Sequence, residues 1–192
     1  MTPEHMPSHT AIDLATGAMD PERAVSERRL GEMAGLFQAD VDPASRELVY
    51  RVRTIPAPER ANELLCATTA IEPGDVDGEP YMTAGHFHAV RDRAEVYVGF
   101  AGEGLVVLAD AGGRWRCEPL RPASAVYIPG GWAHRTVNTG AERLVFFSTW
   151  IADAGHDYEV IRAHGFPIAV MRRDGRAEPV PNPRYRAPDH SA

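Results

Sequence analysis

Short β-favouring segments recur along most of this chain, and they limit its fold more than any other feature. Between Glu47 and Arg173, stretches rich in Val, Tyr, Phe and Thr are separated by Gly, Pro and Asp at intervals of roughly ten residues. Evenly spaced short strands of this kind build a β-sandwich or a β-barrel, so we expect an all-β fold. The predicted strands are Leu48–Arg53, Leu64–Ile71, Met82–His88, Glu95–Phe100, Gly104–Ala109, Trp115–Pro119, Ala125–Ile128, Ala133–Asn138 and Leu144–Trp150.

An N-terminal helix is predicted ahead of these strands. Asp20 followed by Pro21 is a favourable helix start, because Asp caps the first turn and Pro suits the first helical position. The apolar residues Leu30, Met33 and Phe37 recur at spacings of three and four, which places them on one face of a helix running to about Phe37. We expect that face to pack against the sheet.

A short C-terminal helix and the domain limits complete the predicted organisation. The segment 157–164 begins with Asp and is followed by Gly165, a residue typical of helix ends. We predict a polar extended arm over residues 1–19, one domain over 20–177, and a Pro-rich tail over 178–192 that lies on the surface or is disordered.

Length and charge exclude several classes of function. A chain of 192 residues fits one domain, and no apolar run approaches the ~20 residues of a membrane span. The net charge of -7 argues against a nucleic-acid surface, although a few local donors can still hold one phosphate group. The first 14 residues lack the apolar stretch of a secretory signal, so we expect a cytoplasmic protein.

The chain contains no lysine, because all 20 of its basic residues are arginine. A Schiff-base mechanism is therefore impossible, and a carbonyl substrate would need activation by a metal ion, an acid or an oxyanion-type site. The two cysteines, Cys66 and Cys117, form neither a Cys-x-x-Cys motif nor a disulfide framework.

Histidines and one glutamate form a pattern typical of a metal site. In a strand, His86 and His88 point to the same side, and Glu95 can return beside them from the next strand of a hairpin. His134, which follows Pro129-Gly-Gly-Trp-Ala, stands near the start of another predicted strand and can supply a fourth ligand. An isolated His-x-His is often an ordinary surface pair, but here the glutamate and the later histidine coincide with it.

Such a donor set favours one divalent ion per subunit. Imidazoles with one carboxylate suit Fe, Mn, Ni, Co or Zn, and open coordination positions would admit substrate oxygens. The donor set does not identify which of these ions is native.

These residues resemble the two motifs of the cupin superfamily. His86, His88, Glu95 and Gly102 match the first motif, and the second is matched by Pro129, Gly131, His134 and Asn138. The spacing from His88 to Glu95 is longer than in the commonest first motif, and Pro80 and Ala123 stand where the two motifs would open with Gly. The resemblance implies a double-stranded β-helix, or jelly-roll, barrel.

The chain also resembles the cupin-type phosphoglucose isomerases over most of its length. The resemblance lies in the segments 28–33, 83–88, 92–97, 132–138, 153–158 and 182–184. It implies a homodimer that interconverts glucose 6-phosphate and fructose 6-phosphate, with His86, His88, Glu95 and His134 as the metal ligands. Where family members often have Pro-Pro-Tyr, this chain has Pro129 followed by two glycines, so one aromatic wall is missing and either substrate preference or turnover is expected to differ.

The same resemblance implies roles for residues outside the metal site. It assigns phosphate binding to Tyr50, Thr69, Thr83 and the backbone of Gly85, and sugar contacts to Tyr97, His156 and Tyr158. We predict Glu95, His156 and Tyr158 as the catalytic residues. From composition alone the threonines could be plain strand residues, the tyrosines core aromatics, and His156 a helix-entry residue.

Several alternatives remain open at this level. Hydrogen could move between the sugar carbons as a proton, with Glu95 as the first candidate base and His156 as the second, or as a hydride. A cupin isomerase acting on another sugar phosphate such as mannose 6-phosphate, a cupin dioxygenase, or a non-enzymatic sugar-binding or metal-binding cupin would carry similar motifs.

Overall fold

The computed structural model describes residues 7–187 of the chain. One α-helix lies in this range, α1 (Glu159–His164), together with a 3-10 helix at Leu30–Met33. The strands of the described range are β1 (Ala11–Ile12), β2 (Met19–Asp20), β3 (Val25–Arg29), β4 (Leu48–Ile55), β5 (Leu64–Ile71), β6 (Asp75–Val76), β7 (Glu79–Pro80), β8 (Glu95–Ala101), β9 (Gly104–Asp110), β10 (Trp115–Leu120), β11 (Ala125–Ile128), β12 (Trp132–Asn138), β13 (Leu144–Ile151), β14 (Ile168–Arg173) and β15 (Arg176–Pro181).

Two antiparallel sheets enclose the core. The larger has six strands in the order β11-β8-β13-β5-β4-β3, and the smaller has three in the order β10-β9-β12. Fully buried side chains from both sheets and from the flanking loops fill the space between them, including Phe37, Ile71, Val106, Leu144 and Phe166. The predicted all-β class and the cupin-type barrel are confirmed.

Strand register builds the wall of a cavity on the inner face of the larger sheet. Val52 lies opposite Thr69, and Thr69 lies opposite Phe146. Residues directly opposite one another in antiparallel strands point to the same face, and all three of these side chains line one cavity.

The predicted N-terminal helix from Asp20 to Phe37 is wrong. Met19–Asp20 and Val25–Arg29 are strands, and only Leu30–Met33 is helical, as a short 3-10 turn. The edge of β4 offers unpaired backbone groups to β3, and this pairing overrides the local preference for a helix. Met33 and Phe37 are nevertheless buried in the core, as their apolar side chains predict, although neither lies in a long helix.

The predicted strand Met82–His88 is also not continuous. It makes isolated bridges through Met82, His86 and Phe87, and Gly85 interrupts it with a φ of 76°. The predicted C-terminal helix is confirmed, and its last turn is followed by Gly165 with a φ of 73°.

Near the C-terminus, β14 and β15 pair as a hairpin that crosses the predicted domain limit at residue 178. The division into arm, domain and tail stays a prediction, and residues 1–6 and 188–192 of the arm and tail lie outside the described range. No helix in that range is long and apolar enough to cross a membrane.

Candidate metal centre and adjoining cavity

Four predicted ligands meet at one point inside the barrel. His86, His88, Glu95 and His134 each offer a donor atom, and these atoms all lie within 4.8 Å of one another. The backbones of His86 and His134 bond to each other in both directions, at 3.2 and 3.0 Å, which brings their rings to a centroid distance of 4.4 Å. Glu95 enters from the first residue of β8.

The contacts within this cluster suit a bound cation. Nδ1 of His88 donates to the carbonyl of Arg93 at 2.8 Å, which leaves Nε2 with its lone pair facing Glu95 Oε2 at 3.2 Å. Nε2 of His134 lies 3.1 Å from the same oxygen, and Nε2 of both His86 and His134 is buried without a hydrogen-bond partner. Lone pairs that face one another in a buried site are stabilised by a cation between them, so the residues present fit a divalent ion.

The pKa shifts of His86 and Glu95 also favour metal binding. Burial lowers the pKa of His86 well below its usual value, and the neighbouring histidines lower it further, so the imidazole is neutral at pH 7. Burial alone would raise the pKa of Glu95, but its contacts with His134 and His88 outweigh burial and leave the pKa lowered. Neutral imidazole and ionised carboxylate are the forms that coordinate a metal.

A cavity of about 220 Å³ opens beside the cluster. Every residue predicted for the site lines it except His88. The lining includes Tyr50, Thr69, Thr83, Gly85, His86, Glu95, Tyr97, His134, His156 and Tyr158. Sequence reasoning did not assign Ser148, Trp150 or Arg28 to the site. The alternation along β13 would have shown the first two, because Ser148 and Trp150 share a face with Phe146.

The segment 83–85 presents polar groups to one end of this cavity. Thr83 Oγ1 accepts the Thr136 N–H at 3.0 Å, so its own hydroxyl hydrogen is free to be donated. The guanidinium of Arg135 supports the segment from behind, donating to the Ala84 carbonyl at 2.8 Å and lying 4.8 Å from the centre of the Phe166 ring. A Cβ added to Gly85 would lie 2.7 Å from that ring, so this position fits only glycine.

Aromatic side chains close the other side. The His156 ring lies 4.5 Å from His86 and stacks on Tyr158 at 5.8 Å. Burial lowers the pKa of His156 and raises the pKa of Tyr97 and Tyr158. At neutral pH His156 is therefore able to accept a proton, while both tyrosine hydroxyls remain donors.

Known proteins resemble this chain over nearly its whole length. A family model described as glucose-6-phosphate isomerase (GPI) matches residues 29–185. The glucose-6-phosphate isomerase of Pyrococcus horikoshii is 40% identical over 185 residues, covering 94% of this chain and 97% of that protein. That of Thermococcus kodakarensis is 42% identical over 181 residues, covering 91% and 94%.

Two further likenesses extend the comparison. A putative glucose-6-phosphate isomerase 1 from Rhizobium meliloti is 34% identical over 197 residues, covering 98% of this chain and 92% of that protein. A structure from a study of the mechanism of oxalate oxidase covers 60% of this chain and 58% of its own, with 17% identity and a TM-score of 0.49, a likeness too low to bear on function. The family model and the identities over more than nine-tenths of the chain show that this protein belongs to the glucose-6-phosphate isomerase family.

Proposed function

We propose that this protein interconverts glucose 6-phosphate and fructose 6-phosphate with one divalent ion held by His86, His88, Glu95 and His134. The observation that carries the proposal is the convergence of these four donors beside a cavity lined with hydroxyl groups. The family membership and the names of the relatives support the same reaction.

The donor set fits Fe, Mn, Ni, Co or Zn. When bound, such an ion withdraws electron density from the C1 and C2 oxygens of the open-chain sugar, which lowers the barrier to moving hydrogen between those carbons.

The polar end of the cavity is the proposed phosphate site. Hydroxyls of Tyr50, Thr69 and Thr83 and the N–H of Gly85 are donors that can reach phosphate oxygens without a lysine. Binding the phosphate there would direct the carbonyl end of the sugar toward the metal ligands.

Residues on the other side are proposed to bind the sugar and handle its protons. Tyr97, which lines the cavity, is proposed to contact the sugar, and Glu95, His156 and Tyr158 are the proposed catalytic groups. Glu95 is the first candidate to take the proton from C1 or C2, and the neutral ring of His156 is the second. Tyr158 would donate to a sugar oxygen.

Deuterium from the solvent can distinguish proton transfer from a hydride shift. Running the reaction in deuterated water and measuring deuterium at C1 and C2 of the product separates the routes. Substantial incorporation would exclude a pure hydride shift, because a hydride moves between carbons without exchanging with water.

The test of the function itself is an assay after metal removal. The chelated protein should lose turnover of glucose 6-phosphate and fructose 6-phosphate, and restoring Mn, Fe, Co, Ni or Zn one at a time should recover it. Assaying mannose 6-phosphate in parallel tests the alternative isomerase activity. Measuring oxygen consumption with an electrode tests the dioxygenase activity. No turnover of either hexose phosphate with any of these ions would contradict the proposal.

We also infer a cytoplasmic homodimer that acts in glycolysis and gluconeogenesis. Resemblance to the isomerase family supports the dimer and the metabolic role. Static light scattering should give twice the 21.0 kDa chain mass. A mass equal to one chain would contradict the dimer.

A further inference from the structure

Arg28 lies on the inner face of the larger sheet, at the edge of the cavity. Because β3 is a strand and not a helix, Ser26 and Arg28 point to the same side, and both line the cavity. Arg28 lies directly opposite Tyr50 in the register of β3 and β4. Among the described residues that line this cavity, it is the only arginine.

The charge of Arg28 is not neutralised by a neighbouring acid. Its guanidinium donates to the backbone carbonyl of Glu27 at 3.1 Å, and no described carboxylate lies within 4.0 Å of it. The nearby Arg29 and Arg51, in contrast, both form ion pairs with the carboxylate of Glu27. Arg28 is thus a cation at the cavity edge that is free to meet an anion.

A second cavity places Arg28 beside the proposed phosphate donors. This cavity, of about 280 Å³, shares four lining residues with the first, namely Arg28, Ala84, Gly85 and Tyr158. Burial raises the pKa of the Tyr50 and Tyr158 hydroxyls, and the positive charge of Arg28 opposes that rise at both. Arg28 therefore acts electrostatically on the two hydroxyls that flank the Ala84–Gly85 backbone.

We propose that Arg28 contacts the phosphate group of the substrate and makes the cavity selective for phosphate esters over unphosphorylated sugars. Hydroxyls and a backbone N–H are neutral donors, whereas a phosphate monoester carries close to two negative charges at pH 7. A guanidinium supplies positive charge and paired N–H groups that match phosphate oxygens. This inference rests on the proposed isomerase function, since it names the residue that would select its substrate class.

The test compares Arg28→Gln and Arg28→Lys with Arg53→Gln in the metal-loaded protein. Arg53 is the matched control, because it lies on the neighbouring strand β4 and alternates with Val52 and Thr54, which face the cavity. The measurements are KM and kcat for fructose 6-phosphate, inhibition by glucitol 6-phosphate and by glucitol, and calorimetric titration with inorganic phosphate.

For Arg28→Gln we expect KM to rise roughly tenfold and the affinities for inorganic phosphate and glucitol 6-phosphate to fall by a similar factor. The kcat, the metal content and the inhibition by glucitol should stay within about twofold of the wild type, because only contact with the anion is lost. Arg28→Lys should recover part of the affinity, since it restores a point charge. Arg53→Gln should match the wild type.

The proposal is overturned if Arg28→Gln binds inorganic phosphate as the wild type does, or if Arg53→Gln loses as much affinity. It is also overturned if inhibition by glucitol weakens as much as inhibition by glucitol 6-phosphate, since that pattern indicates a damaged cavity. The phosphate titration needs no turnover. A wild type that binds phosphate through Arg28 but turns over neither hexose phosphate would contradict the proposed function while supporting this anion contact.

Discussion

At the scale of single residues, both ring nitrogens of His88 contact a neighbouring oxygen. The Arg93 carbonyl accepts from Nδ1 at 2.8 Å, and Glu95 faces Nε2 at 3.2 Å. A backbone carbonyl of this kind orients the imidazole and makes its other nitrogen a better ligand. The geometry therefore explains why a histidine that does not line the cavity still belongs to the metal cluster.

Replacing His88 should remove metal and activity together. We expect His88→Ala to retain the ion at least about tenfold more weakly than the wild type, because one of four donors is lost and the buried Glu95 loses a partner. Elemental analysis after gel filtration measures the bound metal, and His9→Ala, at an exposed residue of the N-terminal arm, is the control. Normal metal content and turnover in His88→Ala would show that the ligand assignment is wrong.

Glu79 is a buried carboxylate that does not line the cavity. It accepts the backbone N–H of Gln38 at 2.5 Å, and burial raises its pKa although this bond and the charges of Arg135 and Arg184 oppose the rise. A raised pKa means that the folded state holds the proton more tightly than the unfolded state. The contribution of Glu79 to stability is therefore complete below the ordinary glutamate pKa of 4.5 and declines as pH rises through the higher folded value.

Glu79→Gln should remove this part of the pH dependence. The amide is neutral at every pH and can still accept the Gln38 N–H, so the free energy of unfolding should fall less than in the wild type between pH 4.5 and 7. Urea unfolding of both proteins at equal metal loading measures the difference. Parallel pH profiles would contradict the assignment.

At the scale of elements, Gly85 shapes the polar segment beside the cluster. Both Gly85 and Gly131 have positive φ, at 76° and 82°, but only Gly85 has side chains close to where a Cβ would lie. Comparing alanine substitutions at the two positions therefore separates the cost of backbone strain from the cost of steric overlap.

Gly131→Ala should cost about 1 kcal/mol of stability, from strain alone. Gly85→Ala should cost about 3 kcal/mol, since overlap with Phe166 and Arg135 adds to the same strain. Urea unfolding measures both costs. Equal losses in the two variants would show that the packing around Gly85 does not restrict it.

Asn138 ties the end of β12 to neighbouring segments. Its side-chain amide donates to the carbonyls of Ile71, Glu72 and Glu142 at 3.1, 3.2 and 2.9 Å, and its oxygen accepts the Gly140 N–H at 3.1 Å. These bonds hold the strand that carries His134 against the larger sheet.

Truncating this side chain should destabilise the barrel. Asn138→Ala should lower the free energy of unfolding by about 2 kcal/mol, because buried carbonyls lose their donor. Thr139→Ala, which removes a single 3.3 Å bond at the surface, is the control and should cost under about 1 kcal/mol. Equal losses in the two variants would contradict this role of Asn138.

At the scale of the whole molecule, the metal cluster joins separate parts of the barrel. Its ligands come from β8, from β12 and from the segment between β7 and β8, so a bound ion links both sheets. An ion that binds the folded state alone stabilises that state in proportion to the logarithm of its concentration.

Chelation should therefore lower the melting temperature. With the ion at a hundred times its Kd, the metal-loaded protein should melt about 5–10 °C above the chelated one. Differential scanning calorimetry measures the shift, and His88→Ala should show little of it. Identical melting of loaded and chelated wild type would show that the ion does not bind the folded cluster.

Local patterns were enough to predict the β class, the end of α1 at Gly165 and the grouping of His86, His88, Glu95 and His134. Strand periodicity and the positive φ of a helix-ending glycine depend on neighbouring residues, and ligand chemistry depends on residue type. Spacing placed His86, His88 and Glu95 together, although the segment carrying the histidines forms bridges and not a continuous strand.

The amino-acid sequence by itself determined which side chains could hold a metal ion and which segments favour a sheet. Only the tertiary structure decided that Val25–Arg29 is the edge strand of the larger sheet and that Arg28 faces the cavity. The physical reason is that β-pairing is nonlocal: the free backbone groups of β4 stabilise β3, and no property of residues 20–37 alone shows that this partner exists.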